Sequence, residues 1–311
     1  RTYHPLEYMV AVLNNGGGFY RPEHYIHEAR MLGGKIHAPC INRSVGVTRI
    51  EGVDIYLGLI FLKDLESRVI DRMIGARTAG GSFDSLEDFL DRVPISMEQL
   101  SILIRIDAFR STGGEKHQLL WRAHMLLSGG TIREHPRLFP PQHTHYELPR
   151  LHAFTQLELL GFCLCSPFEL LVRPAVNAHG SGDLPGFVGG NIDMYGYLVT
   201  VKNTKTHTGK QMYFATFIDQ QGEVFDTVHF PPVAARHPFR GKGIYRLYGK
   251  VVSEFGFLSI EAVKMEKQEY ISDPRYAEIK TSTRLLGQRQ QSRRAPSEIR
   301  TSSGSASLPK D

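Results

Sequence analysis

Three lysines, Lys202, Lys205 and Lys210, lie in a polar stretch that runs directly into Tyr213, Phe214 and Phe217. Ammonium groups beside aromatic rings suit an unpaired nucleic-acid strand, with cations following the phosphates and rings stacking on bases. The same residues also fit a hairpin with a solvated tip and a packed strand. Side chains alternate along a strand, so the three rings cannot all face one side. One set fills an interior and the other is available to stack.

Other reactive residues form weaker patterns. Cys163-Leu164-Cys165, with His143, His145 and His152 upstream, has the donor types of a metal site. Structural zinc uses two ligand pairs at set spacings, however, and a Cys-x-Cys inside an apolar run reads as core. No metal is expected. The sequence has no nucleophile elbow and no Gly-x4-Gly-Lys phosphate loop. Gly16-Gly17-Gly18 follows a helical pattern rather than a strand, so it is not a dinucleotide fingerprint.

Hydrophobic periodicity predicts helices over 5–13, 22–32, 66–78, 85–92, 97–106 and 115–127, with strands over 46–50 and 54–57. Ser85 and Ser96 each precede acidic residues and are expected to cap their helices. From 128 to 190 the composition turns to Gly, Pro, His and Arg, which reads as a linker interrupted by a short helical element over 156–171. Five strands follow, over 193–201, 211–218, 224–230, 243–251 and 257–264, with a helical piece at 233–235 after the third. That order predicts an OB-type barrel over 191–270, closed so that no sheet edge is exposed. The Ser- and Arg-rich end, 271–311, is expected to be a disordered tail. The fold class is therefore α+β and multidomain: a helical region over 1–127, then a five-stranded β-barrel.

Composition sets the context. The 311 residues are 41% hydrophobic and carry a formal charge of +5, with basic residues concentrated between 202 and 250. Such a local basic face favours a polyanionic partner. Three cysteines suit a reducing compartment, and no apolar run reaches the roughly 20 residues needed to cross a bilayer. The expectation is a cytoplasmic protein without a membrane partner.

Several short motifs occur in a telling order: Pro5-Leu6-Glu7-Tyr8-Met9, Gly34-Lys35-Ile36, Pro39-Cys40-Ile41-Asn42-Arg43-Ser44, Gly58-Leu59-Ile60-Phe61-Leu62-Lys63, Phe83-Asp84-Ser85-Leu86-Glu87-Asp88-Phe89 and Asp107-Ala108-Phe109. In that order the chain resembles the C-terminal part of the bacterial DNA polymerase III alpha subunit. The resemblance implies that the first region looks like distal fingers with a helix-hairpin-helix, whose backbone amides hold duplex DNA. The family usually carries Lys-Gly-x-Gly at the hairpin, where this sequence has Lys63-Asp64-Leu65-Glu66. Two carboxylates thus stand where a phosphate should approach, to be offset by Lys63, Arg68 and Arg72.

The resemblance further implies that the barrel handles the single-stranded template, with Lys202, Lys205 and Lys210 in the first interstrand loop and Tyr213 or Phe214 on the bases. It implies a clamp-binding peptide in the linker, matched by His135-Pro136-Arg137-Leu138-Phe139, with Leu138 and Phe139 as apolar anchors on a sliding clamp. Polymerisation in the family uses Mg2+ held by an Asp-x-Asp pair. The sequence contains no Asp-x-Asp, so this chain should hold no cofactor and be inactive by itself. The expected partners are single-stranded and primer-template DNA, the sliding clamp, and other polymerase III subunits or a missing N-terminal part. Two alternatives stay open: a stand-alone OB-fold protein binding single-stranded nucleic acid, and a clamp-binding scaffold.

Overall fold

Proline at the first helical position fixes φ and has no N–H to leave unpaired. It starts four helices here: α1 (Pro5–Asn14), α2 (Pro22–Met31), α7 (Pro149–Leu159) and α8 (Pro231–Arg236). Between them lie α3 (Ser67–Gly80), α4 (Leu86–Arg92), α5 (Met97–Arg105) and α6 (Lys116–Leu127). The computed structural model describes residues 3–16, 18, 20–129, 149–176 and 178–273, without the side chains of 149–151. Residues as far as Ile271 form one unit. The expected tail from 274 onward and the clamp-peptide residues Leu138 and Phe139 lie outside the described residues.

Both serine caps form as their sequence context requires. Ser85 Oγ accepts from Asp88 N at 3.1 Å, and Ser96 Oγ from Gln99 N at 3.4 Å. The helices bury one apolar core in which Phe83, Phe89 and Phe109 meet edge to face at 4.9 and 5.1 Å. The Arg92 guanidinium lies 4.4 Å above the Phe83 ring and donates to the carbonyls of Ala76 and Gly81. It thereby satisfies groups that the end of α3 leaves open.

Two readings change here. A strand β1 (Lys35–His37) joins β2 (Arg49–Glu51) and β3 (Asp54–Tyr56) in a three-stranded sheet, pairing parallel to β3, where the sequence suggested a short extended piece over 35–39 followed by a separate two-stranded element. The helix within the expected linker runs over Pro149–Leu159 rather than starting at 156, and Gly161 (φ 85°) lies just past its end. Its last residue, Leu159, is buried with Leu160 and Phe162 in the helical core, while Leu171 packs with Tyr197 and Ile244 of the barrel. The stretch from 159 to 171 thus packs against both parts.

The barrel strands are β4 (Asn191–Lys205), β5 (Gln211–Ile218), β6 (Val224–His229), β7 (Ile244–Glu254) and β8 (Phe257–Lys267). They close in the order β4-β5-β6-β8-β7, with β6 and β8 parallel and α8 between β6 and β7. That is the OB arrangement. Phe217 and Phe225 stack at 5.5 Å inside it, with Tyr245 and Phe239 against Phe217. Strand β4 crosses these rings at Gly196, where a Cβ would lie 2.7 Å from both Phe217 Cβ and Phe225 Cζ, so only glycine fits.

One titratable group is sealed in this core. His229 is fully buried beside Phe239, with Thr227 Oγ1 2.8 Å from its Nε2 and no partner at Nδ1. Burial, then repulsion from His237, pushes its imidazole down to about 4. The folded barrel holds the ring neutral while the unfolded chain takes up a proton below its ordinary value of 6.5. Stability is therefore unaffected above about pH 7 and falls by about 3 kcal/mol as pH drops toward 4. Urea midpoints across that range should show this slope, and His229→Gln should flatten it.

Candidate nucleic-acid interface

Hairpin geometry in the helical region follows from two aspartates in glycine-like conformations. Helix α5 ends with Asp107 at φ 68°; the Asp107 amide donates to Ile104 O and the Ala108 amide to Leu103 O. This is a Schellman closure with aspartate in the glycine position. Asp64, in the first hairpin, stands at φ 62°. Aspartate tolerates this region better than most side chains.

The first hairpin spends its amides on protein. Lys63 N donates to Leu159 O at 2.8 Å and Glu66 N to Gln99 Oε1 at 2.8 Å, while Gln99 Nε2 returns a bond to Asp64 O at 2.8 Å. Arg68 and Arg72 both act on the Glu66 carboxylate. Arg68 pairs with Glu66, whose carboxyl its hydrogen bond holds below the usual range, and Arg72 Nη1 donates to Pro94 O at 3.3 Å. These two arginines thus serve the Glu66 carboxylate and the Pro94 carbonyl, beside amides of Lys63 and Glu66 that are already bonded within the protein.

On the barrel, alternation resolves the aromatic question. Tyr213 points inward, edge-on to Phe239 at 5.5 Å, and Phe217 is fully buried. Phe214 faces outward and is 45% exposed. Tyr213 is therefore half-buried on the inner side of β5, packed on Phe239 rather than on the outer face. The lysines move too: β4 runs on to Lys205, so Lys202 and Lys205 are strand residues and only Lys210 belongs to the connecting tip. The strand extends because Thr204 and Lys205 keep pairing, with Met212 and Gln211 respectively. Lys202 shares the outer face with Phe214, its cross-strand partner, whereas Lys205 alternates to the opposite side of the ribbon.

The outer face has a readable order. Lys202, Phe214, Val228 and Glu261 form one cross-strand row, and Thr200, Thr216, Asp226 and Ser259 the next. Thr216 Oγ1 donates to Asp226 Oδ1 at 2.6 Å. In these rows one cation, Lys202, thus lies on β4, and the carboxylates Asp226 and Glu261 lie on β6 and β8. The hairpin tip 206–210 closes one end of this face. Beyond the other lies the β7–β8 turn, where Phe255 and Phe257 are 101% and 80% exposed.

That turn is unusual. Glu254 pairs with Phe257, leaving Phe255 (φ 52°) and Gly256 (φ 83°) as a two-residue connection with both φ positive. Such turns favour Asn-Gly, and a bulky ring in the first position is strained. Sequence reasoning missed Phe255 and Phe257; the available signal was Phe-Gly-Phe between two strands, where a turn residue was due. Of the basic residues between 202 and 250, Lys242 pairs with Glu23 and Arg246 with Asp193, so these serve the fold.

Helix α2 meets the barrel beside this face. Glu23 accepts from the Tyr197 hydroxyl and pairs with Lys242, and His27 Nε2 lies 2.9 Å from Gly222 O in the β5–β6 turn. Burial first, then the Glu23 carboxylate, push the Tyr197 phenol far up. Gly222 (φ 92°) approaches so closely that a Cβ would lie 2.5 Å from Met31 Sδ. Asp219, 2% exposed, holds the turn by accepting from Ser181 N and Oγ, Gln221 N and Glu223 N.

Residues 33–119 match the family model of a helix-hairpin-helix motif. An error-prone DNA polymerase of Mycobacterium bovis is 30% identical over 162 residues, covering 51% of this chain and 14% of that protein. That of Ralstonia pickettii is 26% identical over 245 residues, covering 72% and 22%. The DNA polymerase III subunit alpha of Saccharopolyspora erythraea is 32% identical over 123 residues, covering 38% and 10%. The chain matches the C-terminal region of polymerases of the DNA polymerase III alpha type. It spans less than a quarter of the length of these relatives. Among solved structures, the single-stranded DNA binding protein from Thermus aquaticus is similar at 12% identity, over 26% of this chain and 41% of that one, with a TM-score of 0.24, too low to carry a functional argument. No helix among the described residues is long and apolar enough to cross a membrane.

The first hairpin carries two acids, and its Lys63 and Glu66 amides are occupied. Replacing Asp64 and Glu66 together by glycine removes both negative charges and releases Arg68 from its pair. Affinity for duplex DNA in an anisotropy titration should then rise several-fold, by analogy with ~1 kcal/mol for each charge-assisted contact regained. A double variant with unchanged affinity would exclude this hairpin as a duplex contact.

Proposed function

We propose that this chain holds the unpaired template strand of DNA during replication, as a non-catalytic region of a polymerase of the DNA polymerase III alpha type. The observation that carries the reading is the shared outward face of Lys202, Phe214 and Thr216, running between two exposed hairpin tips. A backbone following the β4 flank meets the Lys202 ammonium, and its bases turn toward Phe214. Phe255 and Phe257 supply further rings at the far end. The similarity to polymerases supplies the setting, replication, in which such a strand arises.

Primer-template duplex on the helix-hairpin-helix and a sliding clamp at Leu138 and Phe139 belong to the same proposal, supported by sequence resemblance. A clamp pull-down that survives Leu138→Ala with Phe139→Ala removes that partner. Competition between single-stranded DNA and RNA separates the template reading from a general nucleic-acid-binding barrel.

Phe214→Ala should weaken binding of a mixed-sequence single strand about tenfold, in the ~1–3 kcal/mol range of one base-stacking ring. Lys202→Glu should lower affinity and flatten its salt dependence by about one phosphate contact, more than Lys205→Glu on the opposite side of the ribbon. Equal affinities for the wild type and Phe214→Ala would reject the face.

A further inference from the structure

Where the barrel's outer face runs under α1 and α2 it opens into a cleft of about 550 Å³. That is within the size range of small-molecule pockets. One wall is Tyr8 of α1, Tyr20 ahead of α2, and His24 and Glu28 of α2; the other is Thr216 of β5 and Val224 of β6. The cleft is open rather than filled: Tyr8 is 43% exposed and Val224 48%. Thr216 belongs to the face just described, two residues and therefore ~7 Å along β5 from Phe214.

The lining selects a base over a phosphate. The rings form a linked cluster, with Tyr20 and His24 at 4.4 Å between centroids and Tyr20 edge-on to Tyr25 at 6.4 Å. No lysine or arginine lines the cleft among the described residues, and its acids, Glu28 and Glu223, would repel a phosphodiester. Carboxylates accept from the exocyclic amino groups of cytosine, adenine and guanine, which thymine lacks. The His24 ring of this cluster is kept below its ordinary pKa by burial and hence neutral near pH 7.

We propose that this cleft receives one unpaired, amino-bearing base from the strand that crosses the barrel, stacked on Tyr20 while its phosphates stay outside. The inference rests on the single-strand reading above. The probe is a thymine oligonucleotide of about 12 nucleotides, with or without one central 2-aminopurine, titrated against the full chain. The 2-aminopurine strand should bind about fivefold more tightly than the all-thymine strand, with its fluorescence quenched on binding.

Tyr20→Ala should abolish both differences, while Tyr20→Phe keeps them. Tyr8→Ala, at an exposed side chain, should reduce the gain without a folding defect. Binding of both strands with no preference, or a preference that survives Tyr20→Ala, overturns the cleft proposal and leaves the face intact. No binding of either strand overturns both.

Discussion

The Glu23 carboxylate is the joint on which this arrangement depends. It accepts the Tyr197 hydroxyl and pairs with Lys242, so a single group on α2 engages two barrel strands or their approach. Side chains of this kind are worth most where water is partly excluded, and Glu23 is only 19% exposed. Because Gly222 lies against Met31 and His27, the β5–β6 turn cannot draw away without losing a second contact on the same helix. The aromatic cleft exists only while these contacts hold, since one of its walls is helical and the other is barrel.

Alternation along β5 then decides what the face can do. One residue of register separates Tyr213, locked against Phe239, from Phe214 at the surface. The same rule sends Lys202 and Lys205 to opposite sides of the β4–β5 ribbon. The basic count of this region is therefore a poor guide to its field. Lys242 and Arg246 are committed to ion pairs, and Asp226 and Glu261 lie on the same surface as Phe214.

Features written in local sequence were legible. Ser85 and Ser96 cap as their neighbours demand, and the five barrel strands fall close to their expected places because alternation and turn residues mark them directly. What stayed hidden depends on partners distant in the chain. Nothing near Lys35–His37 indicates a parallel partner at Asp54–Tyr56, and nothing near Lys63 shows that Leu159 will take its amide. The start of α7 at Pro149 was masked by a His- and Pro-rich approach, although proline at a first helical position is a start signal. Lys202 and Phe214 could be named from sequence, but their sharing of one side required the register, and the rings of Phe255 and Phe257 required the turn.

The β7–β8 turn has a consequence for how this barrel tolerates change. Asparagine or glycine in place of Phe255 would relax the backbone, so selection for thermal robustness alone would erode the ring. Persistence of an aromatic there would mean that solubility and ease of folding had been subordinated to whatever the exposed ring touches. Phe255 is thus a position where improving the scaffold and keeping its contact surface pull in opposite directions.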